Sequence, residues 1–195
     1  MKPLIVALCL LVWTPVLAAV GDEPMPPDSV YQLQAVFEDH HERKFDLRDR
    51  RGRPQLVAMF YTSCKYVCPL IIDSVKGVEH ALTPTEREGL DYLLISIDPA
   101  RDDVAALASV AKKRKLDTHW TLARTNERAV RKLAALLGVR YRALEDGEFN
   151  HTSTLYLLDS SGRKLASSAR LGPVPEPEFL VAVRAALAAG TSPGR

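Results

Sequence analysis

A short apolar run, Leu56-Val57-Ala58-Met59-Phe60, leads straight into Tyr61-Thr62-Ser63-Cys64-Lys65-Tyr66-Val67-Cys68-Pro69. An uninterrupted apolar run of this length, bounded by turn residues, reads as a strand buried on both faces. Beyond the second cysteine, Leu70, Ile71, Ser74, Val75 and Val78 recur at helical spacing, so a helix begins around residues 68–70. Pro69 suits its first turn, where the missing N–H is not needed. A buried strand that feeds a helix through a tight turn is the repeating unit of an α/β sheet. Here that turn also carries a pair of thiols.

The same alternation continues along the chain. Residues 92–97 form a second buried strand, ended by Asp98-Pro99. Asp102 and Asp103 start a helix whose apolar face is Val104, Leu107, Ala108 and Ala111. Lys112-Lys113-Arg114-Lys115 flank its C-terminal end, where the helix dipole favours cations. A strand over 119–123 precedes a helix capped by Asn126, with Val130, Leu133 and Leu137 as its core stripe and Gly138 as its stop. Residues 154–158 and 165–169 make a hairpin about Asp159-Ser160-Ser161-Gly162, and 177–188 close the chain as an amphipathic helix. Before all this, residues 33–37 and 44–47 bracket a polar stretch, 38–43, as an N-terminal hairpin. His40 and His41 read as solvated residues of its tip. The order predicts a thioredoxin-like α/β fold: a central sheet flanked by helices, with an N-terminal and a closing β-hairpin.

The ends have their own character. Lys2, the apolar residues 4–12 and the small residues of Leu17-Ala18-Ala19 predict a cleaved signal peptide over 1–19. The proline-bearing stretch 20–29 reads as a flexible lead-in, and 30–190 as one folded domain. With 47% hydrophobic residues in a chain of 195, a core of that size is expected. A net charge of +2 gives no reason to expect a nucleic-acid partner. The expected location is the periplasm, with membrane association if the N-terminal segment is retained. Cys9 falls within that segment, which leaves Cys64 and Cys68 in the mature chain. A disulfide closing so short a loop adds little stability, so the pair is expected to serve chemistry.

Two chemistries suit it. Thiols at i and i+4 on a turn into a helix point the same way, so they can cycle between dithiol and disulfide or bind one soft ion. The helix N-terminus favours the thiolate. A histidine far downstream, in Phe149-Asn150-His151-Thr152-Ser153-Thr154-Leu155-Tyr156, opens another strand-like run and favours the metal. Two thiolates and an imidazole match a three-coordinate Cu(I), whereas zinc asks for four ligands, or three and water. The candidate ligands are therefore Cys64, Cys68 and His151. Cys64 and Cys68 double as a redox pair if the protein is a thiol–disulfide reductase. Three intervening residues, rather than the two of the usual redox motif, argue against that alternative. Tyr61 and Tyr66 read as packing around the thiols, and Asp98 as either a strand-end turn former or an ordering group for the loop.

The chain resembles the Sco family of cytochrome c oxidase assembly proteins, also called SenC- or PrrC-like, over roughly residues 30–185. Phe60-Tyr61-Thr62-Ser63-Cys64 with Val67-Cys68-Pro69 looks like that family's copper-binding loop. Ser96-Ile97-Asp98-Pro99-Ala100-Arg101-Asp102, Trp120-Thr121-Leu122 and the run from Asn150 to Asp159 resemble its further signatures, in the same order. The resemblance implies copper, as Cu(I) with Cu(II) as a second state, bound by Cys64, Cys68 and His151. It implies a client as well: oxidase subunit II, whose binuclear copper centre receives copper or has its cysteines reduced. A copper chaperone acting as a monomer is the expectation. Lys65-Tyr66-Val67 stands where many members carry Pro-Asp-Val, and the added cation should favour thiolate at the pair.

Overall fold

The computed structural model describes residues 24–190, so the expected signal peptide lies outside the described residues. The elements follow as β1 (Val36–Asp39), β2 (Lys44–Asp46), β3 (Gln55–Phe60), α1 (Val67–Ala81), α2 (Pro84–Glu88), β4 (Asp91–Ser96) and α3 (Val104–Arg114). Then come β5 (Trp120–Arg124), α4 (Glu127–Leu137), β6 (Tyr141–Ala143), β7 (Phe149–His151), β8 (Leu155–Leu158), β9 (Lys164–Ser168) and α5 (Pro177–Gly190). A seven-stranded sheet runs in the order β2-β1-β5-β4-β3-β8-β9, and β6 and β7 pair separately. Its middle is parallel, β3 to β4 to β5, while β8 lies antiparallel on β3. Every residue of β3 is buried, because helices cover both faces of a parallel sheet. The strand-to-helix turns therefore emerge at one edge, beyond the carboxyl ends of β3 and β4. Open α/β sheets place their sites at that edge.

The helix boundaries follow their caps. Asp103 accepts from the Ala106 N–H at the start of α3, and Asn126 accepts from the Ala129 N–H at the start of α4. Gly138 adopts φ 83° and ends α4, and Lys115 takes the left-handed conformation that ends α3. The basic flank is indeed at a helix end, and it acts locally. Arg114 pairs with Asp73 and reaches the Pro69 carbonyl at 3.4 Å, tying α3 to the first turn of α1. One turn beyond Asp73 on α1, Gly77 lies against the backbone of Pro173. A Cβ there would stand 2.3 Å from the Pro173 carbonyl oxygen, so α1 can approach only because residue 77 has no side chain. Gly77→Ala is expected to lower the free energy of unfolding by roughly 2 kcal/mol, the usual scale of overpacking. Urea unfolding that shows a lower midpoint at constant m would check it.

Two expectations are corrected. His40 is not a solvated tip residue but is buried, at 8% exposure. β1 pairs on its second edge with β5, which draws the turn onto the sheet: the His40 N–H donates to the Leu122 carbonyl at 2.9 Å and its Nδ1 accepts from the Leu122 N–H at 3.2 Å. The strand-like run that His151 was expected to open is split in two, although the strand expected over 154–158 is present as β8. Residues 149–151 form β7, half of a small hairpin outside the main sheet, and the chain turns again before β8.

Candidate metal and thiol site

The cysteine turn leaves β3 at Tyr61 and enters α1 at Val67. The residue that should cap α1, Tyr66, makes no side-chain cap bond. The sulfur of Cys64 takes that place, accepting the Cys68 N–H at 3.3 Å. This is how the local sequence builds a thiolate site: the orphan N–H groups of a helix start are aimed at a sulfur rather than at a capping oxygen. Cys68 lies one step deeper, at 3% exposure against 9% for Cys64, and its sulfur accepts the Tyr61 N–H at 3.4 Å. Both thiols are free.

The two sulfurs are unequal. Burial pushes the Cys64 thiol up, but the N–H groups of Cys68 and Tyr66 and the side chains of Cys68 and Tyr61 outweigh it, leaving Cys64 below the ordinary thiol range. Burial pushes Cys68 far above that range, and neighbouring Cys64 adds to the shift. Cys64 is thus the reactive thiol. In the reduced, metal-free protein at pH 7, iodoacetamide should modify Cys64 at least about tenfold faster than Cys68. The rate should rise with pH through a midpoint below the ordinary thiol value. Peptide mapping after timed quenching reads both rates, and equal labelling would contradict the assignment.

His151 reaches this corner from β7. Its Nε2 stands 3.9 Å from the Cys68 sulfur, and its Nδ1 lies 3.2 Å from the Thr152 carbonyl oxygen. A carbonyl can only accept, so Nδ1 carries the proton and Nε2 turns an open lone pair toward the thiols. Burial holds the imidazole below its ordinary value, against the opposing pull of the Thr152 carbonyl, so the ring is neutral at pH 7. A neutral ring with one nitrogen pinned by a carbonyl is the arrangement a metal-ligating histidine needs. Cys64, Cys68 and His151 are therefore neighbours. Among the described residues, however, no three such side chains are drawn together as a closed ligand set.

Asp102 supports the corner; the sequence marked it as a helix starter and as the last residue of a family-like signature, without its partners. It is fully buried at the end of the loop after β4. Its carboxylate accepts from the Thr62 N–H at 3.0 Å, the Thr62 hydroxyl at 2.5 Å and the Ser96 hydroxyl at 2.5 Å. It thereby pins the residue between Tyr61 and the thiols to the end of β4. Asp98 serves the turn instead: it is buried, pairs with Arg101, and its carbonyl accepts the Asp102 N–H. Tyr61 is buried as expected, but Tyr66 is not packing and stands 84% exposed beside the thiols.

A thioredoxin-like α/β sheet with a dithiol at the first sheet helix and an imidazole facing it defines the class of protein. Residues 28–179 match the SCO1/SenC family, and the chain belongs to that family. It is 29% identical over 132 residues to the Danio rerio protein SCO2 homolog, mitochondrial, covering 64% of this chain and 46% of that protein. It is also 30% identical over 74 residues to a Stutzerimonas stutzeri protein named as copper-binding, covering 38% of this chain and 35% of that protein. The matched stretches span less than half the length of either curated relative. The structure of Bradyrhizobium japonicum ScoI with copper bound superposes with a TM-score of 0.65 at 22% identity, over 77% of this chain and 96% of that one.

Proposed function

We propose that the protein is an exported copper carrier that holds one copper ion through Cys64, Cys68 and His151 and passes it to the binuclear copper centre of cytochrome c oxidase, with subunit II as the client. The observation that carries this reading is the open Nε2 of His151, 3.9 Å from the Cys68 sulfur, at a helix start that also holds the Cys64 sulfur. Soft sulfur and a neutral imidazole suit Cu(I). The copper held by Bradyrhizobium japonicum ScoI supports copper as the cargo. The chain's own residues supply the rest. The helix N–H groups favour the Cys64 thiolate, burial keeps water from Cys68, and the Thr152 carbonyl fixes the ring that faces them. Of the two sulfurs Cys64 is the less buried, so an incoming client thiolate would take the ion from that side by ligand exchange.

The unequal thiols also favour a second reading. A low thiol at Cys64 can attack a client disulfide, and Cys68 can then displace the reduced client, closing a Cys64–Cys68 disulfide. Mixing the Cu(I)-loaded, reduced protein with the reduced, copper-free soluble domain of oxidase subunit II separates the two. The copper-carrier account expects copper to appear in the client, with both proteins still reduced. Failure to transfer copper, together with rapid reduction of the oxidised client by the metal-free protein, would favour the reductase.

A further inference from the structure

We propose that Tyr61 is the mooring that positions the His151 hairpin against the thiol pair; its role in copper binding rests on the carrier reading above. The hairpin needs one. It lies outside the seven-stranded sheet, its strands are three residues each, and most of its residues are exposed or half-buried. A two-stranded hairpin of that size is at best marginally stable by itself. Its base is tied by the Thr152 N–H to the Arg140 carbonyl at 2.8 Å and by the Arg140 N–H to the Thr152 hydroxyl at 3.2 Å. Those bonds fix where the hairpin begins, and Tyr141 and Phe149 rest half-buried against the core.

The hairpin's angle is set from the other side. Tyr61 is the first residue beyond β3 and lies close in sequence to Cys64, so its place is fixed by the sheet. Its hydroxyl donates to the Glu148 carboxylate at 2.8 Å and accepts the Phe149 N–H at 3.3 Å, holding the start of β7. Its ring meets the Phe149 ring edge-on at 5.3 Å and the His151 ring edge-on at 5.8 Å. Arg101, paired with Asp98, lies over the Phe149 ring at 5.7 Å. Beside the hairpin is a cleft of about 470 Å³, lined by Ile97, Pro99, Val130, Tyr141, Ala143 and Phe149. The hairpin is therefore open on that flank, and freeing it from Tyr61 would let it turn away from the thiols and carry His151 with it.

Tyr61 also touches Cys64, so the test must separate the two contacts. Tyr61→Phe removes both hydroxyl bonds and keeps the ring. Glu148→Ala removes one of them and keeps the Tyr61 hydroxyl beside Cys64. In the metal-free protein, both variants should speed amide exchange at Phe149 and Leu144 by roughly tenfold while β3 and β4 keep their protection. In an anaerobic competition titration, Tyr61→Phe should weaken Cu(I) binding by about tenfold, and by less than about twofold when His151→Ala is already present. Unchanged exchange in the hairpin would overturn the mooring. Equal weakening with and without His151 would overturn it too, since Tyr61 would then act on the thiols directly. Faster exchange alongside Cu(I) binding indifferent to His151→Ala would uphold the mooring and sink the carrier reading instead.

Discussion

Serine at both Cys64 and Cys68 should abolish one-to-one Cu(I) binding. The substitution is nearly isosteric, so the fold should persist: neither thiol is in a disulfide, and each makes only weak bonds to backbone N–H groups. What is lost is the chemistry. A serine oxygen is hard and stays protonated at neutral pH, whereas the soft Cu(I) ion asks for thiolate. His151 alone would remain, and one imidazole cannot hold a cuprous ion against a competing chelator. Circular dichroism should show the native fold while the competition titration shows no bound copper. Tight stoichiometric binding by the folded double variant would place copper elsewhere on the protein.

Asp102→Ala should cost about 3 kcal/mol of stability and loosen the thiol loop with it. The carboxylate is fully buried and takes three hydrogen bonds, two from Thr62 in the cysteine turn and one from Ser96 at the end of β4. Alanine leaves a backbone N–H and two hydroxyl protons without an acceptor, although the Ser96 oxygen still accepts the Asp98 N–H, and each buried group left unsatisfied costs roughly 1–3 kcal/mol before relaxation. Relaxation lowers the sum, because the hydroxyls can rotate toward other acceptors. Urea unfolding would read the loss as a lower midpoint, and Asp102→Asn, which keeps an acceptor of similar shape, should recover part of it. A change within about 0.5 kcal/mol, the range of an ordinary surface substitution, would contradict the role given to Asp102.

The frame of the protein was legible because its signals are local. Asn126 and Gly138 bound α4 as read, and the apolar run after Arg53-Pro54 became β3 because a charge-free run bounded by turns has few other outcomes. The thiol pair and its place at a helix start were equally local. The remainder depends on contacts between distant residues. His40 is buried because β1 finds β5, which no pattern within 38–43 encodes. The hairpin β6–β7 escaped because its strands are short and half-exposed and its turn, Glu145-Asp146-Gly147, reads as loop. His151 was therefore singled out by its chemistry while its element was not. Asp102 and Tyr61 act through side-chain partners 40 and 87 positions away, and the sequence placed both in family-like signatures without showing those partners.

Anaerobic titration of the reduced protein with Cu(I) against a competing chelator, with His151→Ala alongside, tests the central claim most directly. The account predicts one copper per chain. It also predicts weaker binding in the variant, by at least the roughly tenfold that loss of even an outer partner of a metal ligand costs. Weak binding in the parent protein, equal in His151→Ala, would contradict it and leave Cys64 and Cys68 as a redox pair.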